Sequence, residues 1–187
     1  MSMELHRPTS TYCEEEIIRR AKNDPADFRP LYEKYYRQLY GYVFKKVHDK
    51  HVTGDLLSNV FTKALVNLPK YEHRSYPFSS WLYRIAINEV TDYFRRSSHV
   101  RMIPVEDCYL QGLSEEMEFD IDRYQELESH LIQAIQSLRN EDLTLIELRF
   151  FEKRSYQEIS ELTGLTANNA KVRTYRILKK LRKLIAK

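Results

Sequence analysis

Thr166, Asn168, Asn169, Lys171, Val172, Arg173, Arg176 and Lys179 stand within one stretch near the end of a 187-residue chain. These are side-chain types that can read duplex DNA. An asparagine amide pairs bidentately with adenine, an arginine fork with guanine, and a valine methyl meets thymine methyls. The stretch Leu165 to Lys187, LTANNAKVRTYRILKKLRKLIAK, holds eight Lys or Arg and no acid. At about 100° per residue, Ala167, Ala170, Thr174, Ile177, Leu178, Leu181 and Ile185 share one face. Asn168, Asn169, Val172, Arg176, Lys179 and Lys183 lie opposite, with Lys171 and Arg173 on the flanks. A solvated tail needs no apolar stripe, and a membrane-surface helix favours Trp or Phe on it. The spacing therefore predicts a helix that packs on a domain and turns Asn, Val and cations outward. Its later cations, Arg176, Lys179, Lys180 and Lys183, suit phosphate contacts.

The preceding elements must position that helix. Ser155 and Glu158 fit a capping box, in which the serine accepts from a free helix amide and the glutamate reaches back. Gly164 suits a left-handed helix cap, and Thr166 can cap the final helix. A short capped helix, a glycine turn and a longer helix form a helix-turn-helix, whose second helix lies in the major groove with its first residues at base edges. A plain helical hairpin is the competing reading. The two caps, the glycine turn and the acid-free cationic helix together favour DNA. Upstream, Leu127, Leu131, Ala134, Ile135 and Leu138 predict one helix, and a second runs from about Glu141 to Phe151.

Earlier in the chain, Phe28, Leu31, Tyr35, Leu39, Tyr42 and Val47 predict a helix with a tyrosine-rich buried face. Leu57, Val60, Phe61, Ala64, Leu65 and Leu68 predict a second, which Pro69 ends. A third, SWLYRIAINEVTDYFRR, buries Leu82, Ile85, Ala86, Val90, Tyr93 and Phe94 and sets Ser80, Arg84, Asn88, Thr91 and Arg95 on its other face. The loop before it, YEHRSYPFSSW, mixes aromatics with cations, a combination suited to unstacked bases. Phe78 and Trp81 read as core. His73, Arg74, Ser75 and Tyr76 fit a base-binding loop and a packed turn equally.

Only four glycines and a high charge content indicate an all-α protein. The net charge of +3 conceals a pattern. Residues 1–102 carry 17 Lys or Arg against 12 Asp or Glu; 103–129 carry 1 against 9; 130–187 carry 12 against 6. Basic blocks attract phosphate backbones. We expect two small helical domains, 1–101 and 127–187, joined by an acidic linker over 102–126, the second domain being the helix-turn-helix. Cys13 and Cys108 follow no pairing motif, which fits a reducing cytosol. No segment approaches the ~20 apolar residues of a membrane span, so a soluble, cytoplasmic protein is expected. No phosphate-binding glycine loop or nucleophile–base pattern points to an enzyme. His48, His51 and Asp55 fall on nearby helical turns, where a polar helix junction is a simpler reading than a metal site. No catalytic residue, metal or cofactor is expected.

These motifs together resemble bacterial RNA polymerase sigma factors of the extracytoplasmic-function (ECF) group of the sigma-70 family. DLLSNVFTKALVNLPKYE is similar to that group's polymerase-binding helix, FSSWLYRIAINEVTDYFRR to its helix beside the melted minus-ten element, and SYQEISELTGLTANNAKVRTYRILKKLR to its reader of the minus-thirty-five element. The order of the three motifs, with a linker between, also matches. Departures are Ser58 and Asn59 where a Gln-Glu pair is common, Ala170 and Thr174 in place of larger apolar residues, and Val172 where a small polar residue is usual.

The resemblance implies that Asp55, Leu56, Asn59 and Phe61 dock on core RNA polymerase. It implies that His73, Arg74, Ser75 and Tyr76 hold a flipped minus-ten base while Arg84, Asn88, Arg95 and Arg96 track the single strand. It further implies that the C-terminal domain reads upstream promoter DNA and that an anti-sigma protein is a partner, without membrane insertion. The acidic linker would then pass through the basic RNA-exit path of polymerase as a nucleic-acid mimic. A conventional helix-turn-helix transcription regulator with an N-terminal helical sensor domain is the alternative. It explains the C-terminal block but neither Trp81–Arg96 nor the aromatic loop.

Overall fold

The computed structural model describes residues 14–72, 76–97 and 124–185, with the backbone alone for 124–129. Every regular element among them is helical, in agreement with the all-α expectation. α1 (Glu14–Ala21) opens on three glutamates and closes on Arg19 and Arg20, an order that complements the helix dipole at both ends. A short 3-10 turn, Pro25–Phe28, leads into α2 (Arg29–Val47), whose last turn is closed by His48 at a left-handed φ of 53°. α3 (Lys50–Asn67) is capped by Asp49, whose carboxylate accepts from the His51 and Val52 amides at 2.8 and 3.0 Å. Thus His48 and Asp49 finish one helix and start the next, and among the described residues no three potential metal ligands converge. α3 tightens into a 3-10 turn at Leu68–Lys70, where Pro69 falls. α4 (Phe78–Arg96) begins after Pro77.

α2, α3 and α4 pack as a bundle around Leu31, Leu39, Val43, Leu57, Val60, Ala64, Phe78, Leu82, Ala86 and Val90. The tyrosine-rich face of α2 is inward as its spacing requires. Tyr35 is buried, and its hydroxyl donates to Glu14 at 2.6 Å, which satisfies the phenol and fastens α1 to the bundle.

The second group of helices is α5 (Tyr124–Gln136), α6 (Asn140–Ile146), α7 (Tyr156–Thr163) and α8 (Ala167–Ile185). α5 begins at Tyr124, inside the stretch read as linker. The rest of that stretch up to residue 123 lies outside the described residues, as do Cys13 and Cys108. The element expected from Glu141 to Phe151 is α-helical only to Ile146 and then widens into a π turn over Glu147–Phe151. Leu131, Ile135, Ile146, Ile159, Ile177 and Leu181 lie at the centre of this second core.

The capping box is formed on both sides. The Glu158 amide donates to the Ser155 hydroxyl at 3.2 Å, and the Ser155 amide donates to the Glu158 carboxylate at 2.8 Å. Ser155→Ala should lower the stability of the C-terminal helices by about 1 kcal/mol, read as a lowered urea midpoint at unchanged slope.

Candidate nucleic-acid interface

α8 is displayed by a turn whose geometry only this sequence order supplies. Gly164 ends α7 at φ 77°, a conformation costly for any side chain with a Cβ. Thr166 then caps α8 by accepting from the Asn169 amide at 3.2 Å. Ala170, Thr174, Ile177, Leu178, Leu181 and Ile185 are buried, and Ala167 is half-buried. Asn168, Asn169, Lys171, Val172, Arg176, Lys179 and Lys183 are exposed, as is Thr166. The outward row is therefore as the helical spacing predicts.

Arg173 has a partner within the domain. Two nitrogens of its guanidinium meet Asp142 Oδ1 of α6 at 2.8 and 2.7 Å, so this flank residue, 39% exposed at its side chain, also ties α8 to the domain. Tyr175, 49% exposed, joins the same surface. It stands at i+3 from Val172, a position that helical spacing marks as outward although its side chain is neither an amide nor a cation.

α4 carries the second candidate surface. Phe78 and Trp81 pack with Tyr71 at ring-centroid distances of 5.3 and 5.0 Å; Phe78 is core as expected, and Trp81 is half-buried against that core. Tyr76 is exposed at the mouth of the loop. His73, Arg74 and Ser75 lie outside the described residues. Arg84, Asn88, Arg95 and Arg96 are exposed along α4, with Arg95 paired to Asp92 at 2.8 Å.

The face expected to point wholly outward is nevertheless met by the second group of helices. Ile87 is buried in the C-terminal core, the Ser80 hydroxyl donates to Glu161 at 3.2 Å, and the Arg84 guanidinium lies over Gly164, where a Cβ would overlap it.

On α3, Asp55 and Asn59 are exposed. With Lys63, Tyr93 and Arg96 they line a cleft of about 400 Å³ between α3 and α4. Leu56, though only 6% exposed, also lines that cleft, whereas Phe61 does not. Phe61 is only 7% exposed and packs on Tyr32 at 4.6 Å and Phe28 at 6.4 Å. The apolar side chains of Leu56 and Phe61 hold α3 in the bundle, and the polar pair carries the outer face. Val66, exposed further along α3, is an apolar surface residue that the sequence search passed over.

Charge at the helix starts is stabilised in the ionised form. The Val52 amide, with that of His51, holds the Asp49 carboxyl below its ordinary value. The Ser155 amide, the Ser155 hydroxyl and the Arg154 guanidinium do the same for Glu158. Neither group lies on the outward row of α8, which stays free of acids.

Two helical domains, one ending in a capped helix-turn-helix with an acid-free outward face, define a nucleic-acid-binding protein of two parts. Residues 31–100 match the family Sigma-70 region 2, and residues 130–181 match Sigma-70, region 4. The chain is 30% identical over 146 residues to the RNA polymerase sigma factor SigV of Bacillus subtilis, covering 78% of this chain and 83% of that protein. It is 30% identical over 164 residues to the ECF RNA polymerase sigma factor SigX of the same organism, covering 83% and 82%. Similarity to the ECF RNA polymerase sigma factor BldN of Streptomyces coelicolor is 28% over 185 residues, 91% of this chain but 65% of that protein, so the chain spans less than two thirds of BldN. The chain belongs to the sigma-70 family of RNA polymerase sigma factors, in the ECF group.

Proposed function

We propose that this chain is an alternative sigma factor that binds core RNA polymerase and directs promoter-specific initiation. Residues 1–101 form the domain that docks on polymerase and holds the minus-ten element. Residues 102–126 link it to the 127–187 domain, which reads the minus-thirty-five element. The observation that carries the reading is the exposed row Asn168, Asn169, Val172, Arg176 and Lys179 on a helix capped by Thr166 and introduced by Gly164. Amides near the start of such a helix reach base edges, and later cations meet phosphates.

In the N-terminal domain, Asp55, Leu56, Asn59 and Phe61 contact polymerase. Arg84, Asn88, Arg95 and Arg96 follow the single strand, and His73, Arg74, Ser75 and Tyr76 hold its flipped base. An anti-sigma protein is a further partner under this reading.

The test is co-elution of the purified chain with core RNA polymerase on gel filtration. Co-elution is expected, and Asp55→Lys should weaken it about tenfold or more, because charge reversal at an interface costs both the attraction and a new repulsion. A chain that ignores polymerase yet binds duplex promoter DNA alone would instead be a conventional helix-turn-helix regulator.

A further inference from the structure

Two side chains on the outward face of α8 do not suit a surface made only for phosphates. Val172 is 41% exposed and Tyr175 is 49% exposed. Three residues apart, they are neighbours on one face of the helix. Asn168 stands one turn before Val172, and Lys179 one turn after Tyr175. Lys171 and Arg176, both exposed, flank the pair. A single apolar residue at a surface is ordinary, as Val66 is on α3. Here a pair occupies the centre of a face whose other side chains are amides and cations. Valine is also a poorer helix former than lysine, arginine or alanine, because its branched Cβ loses rotamer freedom against the preceding turn.

Charge and shape decide what covers the pair. No acid occurs from Leu165 to Lys187, so the covering surface meets cations on every side. That suits a polyanion and repels a basic surface. The floor of the major groove presents donors and acceptors at every base pair, and its one apolar group is the 5-methyl of thymine. Valine offers no partner to the polar positions. Placed over them it would strip water from a base edge and put no hydrogen bond in its place.

We infer that Val172 is a specificity-determining residue whose methyl groups meet the 5-methyl group of a thymine in the duplex that α8 reads, with the Tyr175 ring alongside. The inference rests on the reading of α8 as a major-groove helix and adds the base that its central position selects. Cytosine carries hydrogen where thymine carries the methyl group, and an amine donor where thymine has its O4 acceptor. It therefore loses the apolar contact and leaves its amine facing valine. Val172 lies four residues, about 6 Å of helix, beyond Asn168, against a rise of about 3.4 Å per base pair. The selected thymine should thus fall within about two base pairs of the base that Asn168 meets.

The test begins with selection of duplexes from a random library by the full chain, alone and with core RNA polymerase. Each thymine of the selected element is then replaced in turn by deoxyuridine. That change removes one methyl group and leaves every hydrogen-bonding group in place. Wild-type affinity, read by fluorescence anisotropy, should fall about fourfold at one thymine, as one buried methyl group requires, and less at the others. Val172→Ser should bind the thymine and deoxyuridine duplexes equally at that position, so the two changes are not additive. Val172→Ala, a better helix former, should likewise lose most of the discrimination, which separates loss of the contact from loss of helix.

A selected element without thymine, a wild type indifferent to every deoxyuridine, or variants that keep the wild-type sensitivity at the same thymine would each overturn the inference. Selection that enriches no duplex under either condition would overturn the reading of α8 as a DNA helix, and this inference with it. Failure to co-elute with polymerase would overturn the sigma reading alone and leave the deoxyuridine comparison intact.

Discussion

Replacing Phe78 with alanine is expected to cost about 3–5 kcal/mol, the range for removing a fully buried aromatic side chain. Phe78 is 0% exposed and begins α4 at the point where the loop meets the bundle. Its ring lies 5.8 Å from Tyr35, 5.3 Å from Tyr71 and 5.3 Å from Trp81. Those neighbours come from α2, from the end of the α3 turn and from α4 itself, so no single movement fills the space that truncation leaves. The loss is both the transfer free energy of the ring and the cavity that remains. For a domain of this size it should lower the melting temperature by more than about 10 °C. Because Tyr76 stands two residues away, the loop should also lose its fixed entry to α4, and oligonucleotide binding should fall below what the unfolded fraction alone explains. Thermal unfolding by circular dichroism, followed by anisotropy well below the transition, separates the two effects. A melting temperature within a few degrees of wild type would mean that Phe78 is not the keystone its packing indicates.

The elements of this fold were legible where a single helix decides its own faces. α8 shows this best, since the residues that share its apolar stripe at helical spacing are those the structure buries, from Ala170 to Ile185. The capping box and Gly164 are likewise local, and both appear where Ser155, Glu158 and the turn place them.

Legibility failed where a partner far along the chain decides. Arg173 reads as a flank cation until Asp142 is seen beside it. Ser80 reads as outward until α7 arrives, and Arg84, exposed as expected, also meets the Gly164 turn. Ile87 did carry a signal, being an apolar residue between Ala86 and Asn88 that belongs to neither expected face of α4. Such a residue needs a second surface to cover it, and here that surface is the C-terminal core. Phe61 is a different case, because its periodicity assigned it to the buried stripe while the family resemblance assigned it to the docking face. Phe61 is buried, as its periodicity requires, and its docking role stays part of the proposed function.

Under the proposed function the outward row of α8 holds positions that specify sequence and positions that supply affinity, and substitution should divide them. Asn169 is exposed in the first turn, and its part in the cap is through its backbone amide, which donates to Thr166. Asn169→Ala therefore leaves the cap in place and removes only the side-chain amide. Loss of one bidentate base contact costs about 1–3 kcal/mol, so binding to the preferred duplex should fall about tenfold to a hundredfold while binding to unrelated duplexes changes little. Lys179 lies about three turns further on, exposed on the outward row, where a cation suits the phosphate backbone. Lys179→Ala should weaken preferred and unrelated duplexes alike and reduce the slope of log K against log salt by about 1. Anisotropy titrations over a range of salt, using duplexes recovered by selection from a random library, would read both quantities at once. Thr166→Ala serves as the contrast, because it removes the cap itself and should lower stability by about 1 kcal/mol. If Asn169→Ala instead weakened all duplexes equally, the first turn of α8 would be a phosphate anchor, and the base-reading surface would have to be sought further along, at Val172, Tyr175 and Arg176.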